Sequence, residues 1–540
     1  MGASRKKRAK RRPRARKATS SAKKAEPRPP AQEQTVEPES GDQVLDMDQA
    51  IALLKTTRPT FYRWLRAGKL RGMKVGRQWR FYRSDVEAFL RGEGPRIALP
   101  APVTTLLEDL RRIYRELGGK ASDLSGRTEL EQAAYLMAGV AARMRASDVH
   151  IHATVVEQVL ARKQGDEDAK SAVSPSVRAV IRMRVDGVLH TVVEFDNRLL
   201  QPVIEQWKAL TGADLSGNLI SQDGRGMLKV EDTTLDIRSS FVHTALGEAV
   251  TMRLIPRTIL EKLSLERLDL SAEAKTRLKE QLNAASGLIV VTGPTGCGKT
   301  TTLCSALTHI AKPGLKIMTL EDPVELLLEG IVQIQVRPDQ GLTFQKGLIR
   351  IFRSDPDVVL VGETRDRETL EICCKGAATG HLILTTLHAP TAVSALFRVG
   401  MMVDDPGLAF PGEVLRLVLA QRLVRKICPD CAKPYDPAAD VLQEAEMRAC
   451  EGGVDWDSLP KDFRKPHGCK QCAKTGYRGR LAVGEALTIT PAVLQALRSD
   501  AEPGDVEKVA VEQGMVTMPA QGVRLAAAGV TTLEEVLRIF

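Results

Sequence analysis

The sequence predicts an α/β fold in which a buried strand runs into a glycine-rich loop and then a helix. Three observations carry this. Leu288 to Thr292 is a continuous apolar run, Gly293 to Thr300 has the spacing GxxxxGK[ST], and three further apolar runs end in Glu321, Glu363 and His388. The glycine pattern acquires meaning only between a strand and a helix, which is where it stands.

At 540 residues the chain exceeds what one hydrophobic core supports, so several domains are expected. With 43% hydrophobic and 27% charged residues it has a globular composition. No apolar run approaches the roughly 18–20 residues that a membrane-crossing helix needs. The basic N-terminal stretch lacks the apolar segment of a secretory signal, and a cytoplasmic chain is expected. The formal net charge is +11, yet residues 1–24 alone hold twelve Lys and Arg and no acid. Such a block repels itself and buries nothing, which predicts a disordered arm, either a solubilising tail or a contact for a polyanion. Residues 25–41 continue as a Pro/Glu-rich linker, completing a 1–41 arm.

Residues 42–95 form the first predicted domain. A short helix follows Asp46, with Ile51, Leu53 and Leu54 as its apolar positions, and a second, around Phe61 to Leu65, closes at Gly68. Met73 to Phe81 alternates as a strand pair turning at Gly76, and Ser84-Asp85-Val86-Glu87 reads as a capping box opening a third helix through Phe89 and Leu90. This order resembles the excisionase/MerR-like helix-turn-helix family, whose second helix enters a DNA groove while the wing touches phosphate. The resemblance implies Arg58, Arg63, Arg66, Lys74 and Arg77 as DNA contacts, on a face to which Lys69, Arg71 and Arg80 add charge. A domain kept for protein contacts is the alternative. Trp64 and Trp79 are expected in its core.

Residues 96–140 are read as an amphipathic helical connector, with Leu106, Leu107, Leu110 and Ile113 at three-to-four spacing. A smaller α/β domain is expected over 141–262. Its first strand begins at Ala146, and a hairpin over Ile181 to Leu189 turns at Asp186-Gly187, placing Arg182 and Arg184 on one face. The polar insert Arg162 to Ser176 reads as a mobile loop.

The chemistry is expected in 263–540. Glycines let the loop curl so that backbone N–H groups meet phosphate oxygens, Lys299 reaches the β and γ oxygens, and Thr300 ligates Mg²⁺. The cradle is therefore Gly293, Pro294, Thr295, Gly296, Cys297, Gly298, Lys299, Thr300 and Thr301, with Cys297 contributing only backbone. A carboxylate at a strand's C-terminal end can face Mg²⁺ and water. Glu363 is the candidate Mg²⁺ partner of Thr300, and Glu321, beside Asp322, joins it in a water-activating cluster. His388, at the tip of a further strand, is a candidate catalytic residue with Glu363 and Glu321, although an ordinary core histidine would be the default for such a position.

These four segments, with Gly341 to Phe344 and Gly362 to Asp366 between them, resemble the Walker A, Asp box, Walker B and His box of the type II secretion and type IV pilus assembly ATPases. The likeness spans roughly residues 140–540. It implies a RecA-like ATPase core preceded by a PAS-like α/β domain, ATP hydrolysis by a homo-hexamer, and work on inner-membrane secretion or pilus machinery. That family places arginines of the smaller domain near the terminal phosphate, at positions matched by Arg238 and Arg253. Where it has paired arginines before Asp-Pro-Asp, this chain has Ile349, with Arg350 one step along, and Arg353. Ala389-Pro390 follows His388 in place of a more usual polar pair. The family's usual first N-terminal domain is not recognisable, and residues 1–135 hold the winged module instead. The rival reading is a DNA-handling ATPase that uses this module.

Cys428-x-x-Cys431 and Cys469-x-x-Cys472 are two pairs of the kind that ligate structural Zn²⁺, within a module over 425–480. A reducing compartment favours metal over disulfide, and four thiolates leave no open position for catalysis. Within the resembled family the assembly ATPases carry this module, which favours assembly or secretion. Cys297, Cys304, Cys373, Cys374 and Cys450 read as small buried or incidental residues. Short helices are expected over 490–540.

Overall fold

The computed structural model describes residues 43–66, 70, 72–75, 78–90, 99, 101–120, 124–159, 173–215, 221–256, 263–403, 414–498 and 501–540. The basic arm, the linker, Gly68, Lys69, Arg71, Gly76 and Arg77 lie outside the described residues, and Arg66 and Lys74 are placed by backbone alone.

The first domain orders strand β1 (Val44–Asp46), helices Met47–Leu53 and Arg58–Arg66, strands β2 (Met73–Val75) and β3 (Gln78–Tyr82), and helix Arg83–Leu90. The strands form an antiparallel sheet in the order β1-β3-β2. Asp46 caps the first helix by accepting from the Gln49 amide at 2.8 Å. Phe61 and Phe81 meet edge-on with centroids 5.1 Å apart, and Trp64 and Trp79 pack against the same core. Two expectations change. The third helix starts at Arg83, one residue before the Ser84 expected to open it, and the Arg83 amide bonds Gln43 O at 2.9 Å and carries the chain directly from sheet to helix. Strand β1 was not anticipated, because three residues are too few to display a period.

The middle domain comprises helices Thr104–Glu116 and Glu129–Met144, strands β4 (Ala146–Val159), β5 (Val173–Val185) and β6 (Val188–Asp196), helix Leu200–Thr211, and strands β7 (Gln222–Val230), β8 (Thr233–Thr244) and β9 (Gly247–Pro256). Its antiparallel sheet runs β6-β5-β4-β9-β8-β7. Leu106, Leu110 and Tyr135 from the helices share one core with Ile151, Ile181, Phe241 and Met252 from the sheet. The 96–140 connector is thus no separate element. Its apolar stripe needs cover, and the sheet's inner face supplies it. The loop expected over Arg162 to Ser176 also shrinks, because Val173 to Ser176 pair with Val156 to Val159 and lengthen β5. The remainder, 160–172, is outside the described residues. Asp186 and Gly187 adopt φ +48° and +88°, the hairpin turn expected.

Within this core Lys208 and Glu248 form a 2.7 Å ion pair at 0% and 3% side-chain exposure, the ammonium lying 5.5 Å from the Phe241 ring centre. Removing one partner strands a buried charge. Lys208→Met should therefore lower unfolding stability by about 3–5 kcal/mol, and adding Glu248→Leu should restore most of it. Denaturant melts of the two variants give the comparison; equal losses in both would contradict it.

The C-terminal domain is built on strands β10 (Gly287–Thr292), β11 (Ile317–Glu321), β12 (Val332–Gln335), β13 (Val358–Val361), β14 (Leu382–Leu387) and β15 (Leu415–Ile427). The two-residue strands β16 (Lys433–Pro434) and β17 (Arg464–Lys465) and the long β18 (Tyr477–Thr488) follow. The sheet order is β12-β11-β13-β14-β10-β15-β18, parallel throughout except for β18. Strands β10 and β14 are buried at every residue, and separate apolar cores lie on the two faces. Because six strands run the same way, their C-terminal tips share one edge. Helices Pro491–Arg498, Pro503–Glu512, Met518–Ala527 and Leu533–Ile539 close the chain. Among the described residues no helix is long and apolar enough to cross a membrane.

Candidate nucleotide site and cysteine cluster

The loop after β10 has the backbone that its glycines were expected to permit. Gly293, Gly296 and Gly298 take φ of +139°, +78° and +95°. A β-carbon on Gly293 would stand 2.3 Å from the Gln421 carbonyl oxygen, so no other residue fits there. The following helix starts at Lys299 and aims its first amides at the loop. The Lys299 ammonium donates to the carbonyls of Gly293 and Pro294 at 2.8 and 3.1 Å. Thr300 is half-buried in the helix's first turn, and Thr301 is exposed. Cys297 is buried.

The parallel register gathers the other tips beside this loop. Gly362 N donates to Leu320 O at 2.8 Å, Thr364 N donates to Thr386 O at 2.9 Å, and Thr292 pairs with Leu387. Glu321 is therefore the last residue of β11, Glu363 stands two residues past β13, and His388 one past β14. Glu363 pairs with Arg365 at 2.6 Å. Burial lowers the Lys299 pKa, which the Cys297 thiol and the Glu363 carboxylate oppose, so these groups sense one another electrostatically. His388 is held below its ordinary pKa by desolvation and the Lys299 charge, with Glu363 acting the other way. It is exposed rather than the core histidine expected by default, because its strand ends at Leu387.

Glu321 is buried, and its Oε1 accepts from Thr319 Oγ1 at 2.6 Å and Gln333 Nε2 at 3.0 Å. Just beyond it, Glu325 O lies 3.5 Å from Arg238 Nη2, which brings an arginine of β8 in the middle domain to the segment after β11. Arg253, paired across strands with Arg238, turns instead to Asp148 at 3.4 Å. Of the arginines read as DNA contacts, Arg58 pairs with Asp48 at 3.2 Å and Arg63 is exposed.

The two cysteine pairs converge. All four sulfurs lie within 4.8 Å of one another, with Cys428–Cys469 at 3.9, Cys431–Cys472 at 3.8 and Cys469–Cys472 at 3.7 Å. A Zn–S bond of ~2.3 Å gives a regular tetrahedron an edge of ~3.8 Å, so the donor set fits that ion. The amides of Cys469 and Gly476 approach Cys472 Sγ at 3.1 and 3.2 Å. Burial raises the Cys472 thiol, but these amide donors win and bring it down to about 7. Of the other five cysteines four are buried and Cys450 is exposed. The module between the pairs packs Trp456 and Phe463 into one core with Val523 and Leu533 of the terminal helices.

A family model described as Type II/IV secretion system protein matches residues 137–538. The chain belongs to this family. A Helix-turn-helix domain model matches residues 44–94. Type II secretion system protein E of Pseudomonas aeruginosa is 40% identical over 362 residues, covering 67% of this chain and 70% of its own. Type IV pilus assembly ATPase PilB of Myxococcus xanthus is 38% identical over 362 residues, covering 66% and 62% respectively. The X-ray structure of the Legionella pneumophila ATPase DotB shares the fold at a TM-score of 0.52 and 19% identity, covering 78% of this chain and 97% of that one.

In this member of the secretion family two buried polar side chains support the site without belonging to any motif. Gln421 on β15 donates to Cys297 O at 2.8 Å and accepts from Thr302 Oγ1 at 2.9 Å, bracing the loop from beneath. Glu485 on β18 accepts from Ala392 N at 2.6 Å and Met518 N at 3.0 Å, tying the helix after His388 to the terminal helices. Burial raises the Glu485 pKa against the pull of both amides. The available signal was an amide directly after the apolar run Leu417 to Ala420 and a lone acid inside the run Leu481 to Leu487.

Proposed function

We propose that this secretion-family chain is an ATP-hydrolysing motor whose middle and C-terminal domains move against each other around the nucleotide. The supporting observation is the Arg238 contact with the Glu325 carbonyl, which puts a side chain of one domain at the acidic tips of the other. In this reading the amides of Gly293 to Thr301 and the Lys299 ammonium hold the phosphates. Thr300 and Glu363 would hold Mg²⁺, which neutralises charge as the terminal phosphoryl leaves. Glu363 and Glu321 orient the attacking water, and the bonds from Thr319 and Gln333 keep Glu321 in place before the reaction starts. His388, neutral at pH 7, adds a hydrogen-bonding group beside the terminal phosphate. Arg238, with Arg253 behind it, answers the terminal phosphate's charge, so its loss releases the middle domain.

In this reading the motor works as a homo-hexameric ring at the cytoplasmic face of an inner membrane and drives pseudopilus or pilus assembly or type II secretion, which the likeness to Type II secretion system protein E and to Type IV pilus assembly ATPase PilB supports. The cysteine cluster would hold a structural Zn²⁺. Arg238→Gln tests the coupling: single-turnover hydrolysis should fall about a hundredfold, on the scale of one lost electrostatic donor, while ATP affinity changes much less. Unchanged turnover would remove the arginine from the mechanism.

A second reading, a DNA-regulated ATPase, is favoured by one observation, the helix-turn-helix match over residues 44–94. It expects duplex DNA to bind with steep salt dependence and to stimulate hydrolysis. DNA without effect on the ATPase rate leaves the motor reading alone.

A further inference from the structure

The outer face of the middle-domain sheet carries a cavity of about 450 Å³ that the nucleotide reading does not use. Strand alternation creates it. Ile151, Ile181 and Val250 turn into the core, so the residues flanking them turn outward. Its polar wall is His150 and His152 on β4, Arg182 on β5 and Thr251 on β9, and Leu189 and Leu246 supply apolar wall. Register sets His150 directly between Arg182 and Thr251. The Thr251 hydroxyl lies 3.1 Å from His150 Nδ1 and fixes that ring.

The wall is polar beyond its own needs. His150 Nε2, His152 Nδ1 and Arg182 Nε are buried without a hydrogen-bond partner among the described residues. Buried polar atoms are ordinarily satisfied, and three on one wall of one cavity point to an outside acceptor. The local charge has the matching sign. Arg182 and Arg184 face His150, and the nearby acid, Asp148, is engaged by Arg184 at 3.8 Å and Arg253 at 3.4 Å. Desolvation and Arg182 hold both imidazoles below their ordinary pKa, so each can still take up a proton when an anion arrives.

We propose that this cavity is a binding site for a small organic anion, an apolar body carrying one phosphate monoester or carboxylate, with the anionic group on Arg182 and the two imidazoles and the body against Leu189 and Leu246. The volume exceeds what an inorganic ion fills, and lies in the range of small-molecule sites. The site shares its sheet face with Arg253 and Arg238, and none of its lining residues belongs to the glycine loop.

Calorimetric titration of the full chain with phenyl phosphate, benzoate, inorganic phosphate and phenol tests this. Phenyl phosphate or benzoate should bind at least tenfold more tightly than inorganic phosphate or phenol, and the tighter of the two identifies the anionic group. Anion binding draws protons onto the imidazoles, so affinity should rise severalfold from pH 8.0 to pH 6.5. Arg182→Gln and the milder Thr251→Val should each weaken binding, the first by tenfold or more, in proteins that melt like the wild type. Lys299→Ala should leave it unchanged, whatever becomes of the ATPase reading. Absence of binding by any titrant, or binding lost in Lys299→Ala but kept in Arg182→Gln, overturns the proposal. So does an Arg182→Gln protein whose self-association alone has changed, which would give the cavity to a neighbouring copy of the chain.

Discussion

Glu363→Gln should lower ATP turnover by about 10²–10⁴-fold, the range for loss of a positioned acid–base group, while the protein still binds ATP. The substitution keeps shape and removes charge. It takes away the partner of Arg365 at 2.6 Å and the carboxylate that Lys299 and His388 sense, but touches no apolar core. Lys299→Ala should reduce turnover comparably and weaken nucleotide affinity as well, because in the proposed mechanism Lys299 holds phosphate in ground and transition states alike. Phosphate release and equilibrium nucleotide binding, measured on the same preparations, separate the two signatures. Turnover near wild type in the Glu363 variant would take that residue out of the site.

The second large effect concerns the cysteine cluster. One zinc per chain should accompany the purified protein, and its removal by a chelator, or Cys431→Ser with Cys472→Ser, should unfold residues 425–480. Thiolate-bound structural zinc contributes about 10–16 kcal/mol of apparent binding free energy, more than a small module's own core can replace. The loss should spread. Trp456 and Phe463 share a core with Val523 and Leu533, and just past the second cysteine pair Gly479 N donates to Asp186 of the middle domain at 2.9 Å. Amide exchange should therefore rise in Met518–Ala527 and at the β5–β6 turn together with the module. Metal-free protein with wild-type melting would leave the four sulfurs as an unmetallated cluster.

Legibility followed the range of the interactions. The glycine loop, the apolar strands, the Asp186-Gly187 turn and both cysteine pairs are local patterns, in which a residue's neighbours in sequence suffice to state its role. The 96–140 stretch reads as a connector from sequence because amphipathicity says that a face is covered but not by what. Strand β1 and the first residues of β5 escaped notice because their partners lie 38 and 14 residues away in the registers Val44 with Tyr82 and Val159 with Val173. Gln421 and Glu485 were missed for the same reason, since their partners come from the glycine loop and from helices distant in sequence.

From sequence alone came the glycine loop, the acidic strand ends, the two cysteine pairs and the resemblance to secretion and pilus ATPases, because spacing along the chain encodes each of them. Only the tertiary structure decided which side chains meet across elements. It brought Arg238 to Glu325, tied Glu321 to Gln333, set Gln421 under the loop, and left a cavity beside His150 and Arg182. Those contacts depend on strand order and register, which are settled when whole faces are buried together, and no single segment contains that information.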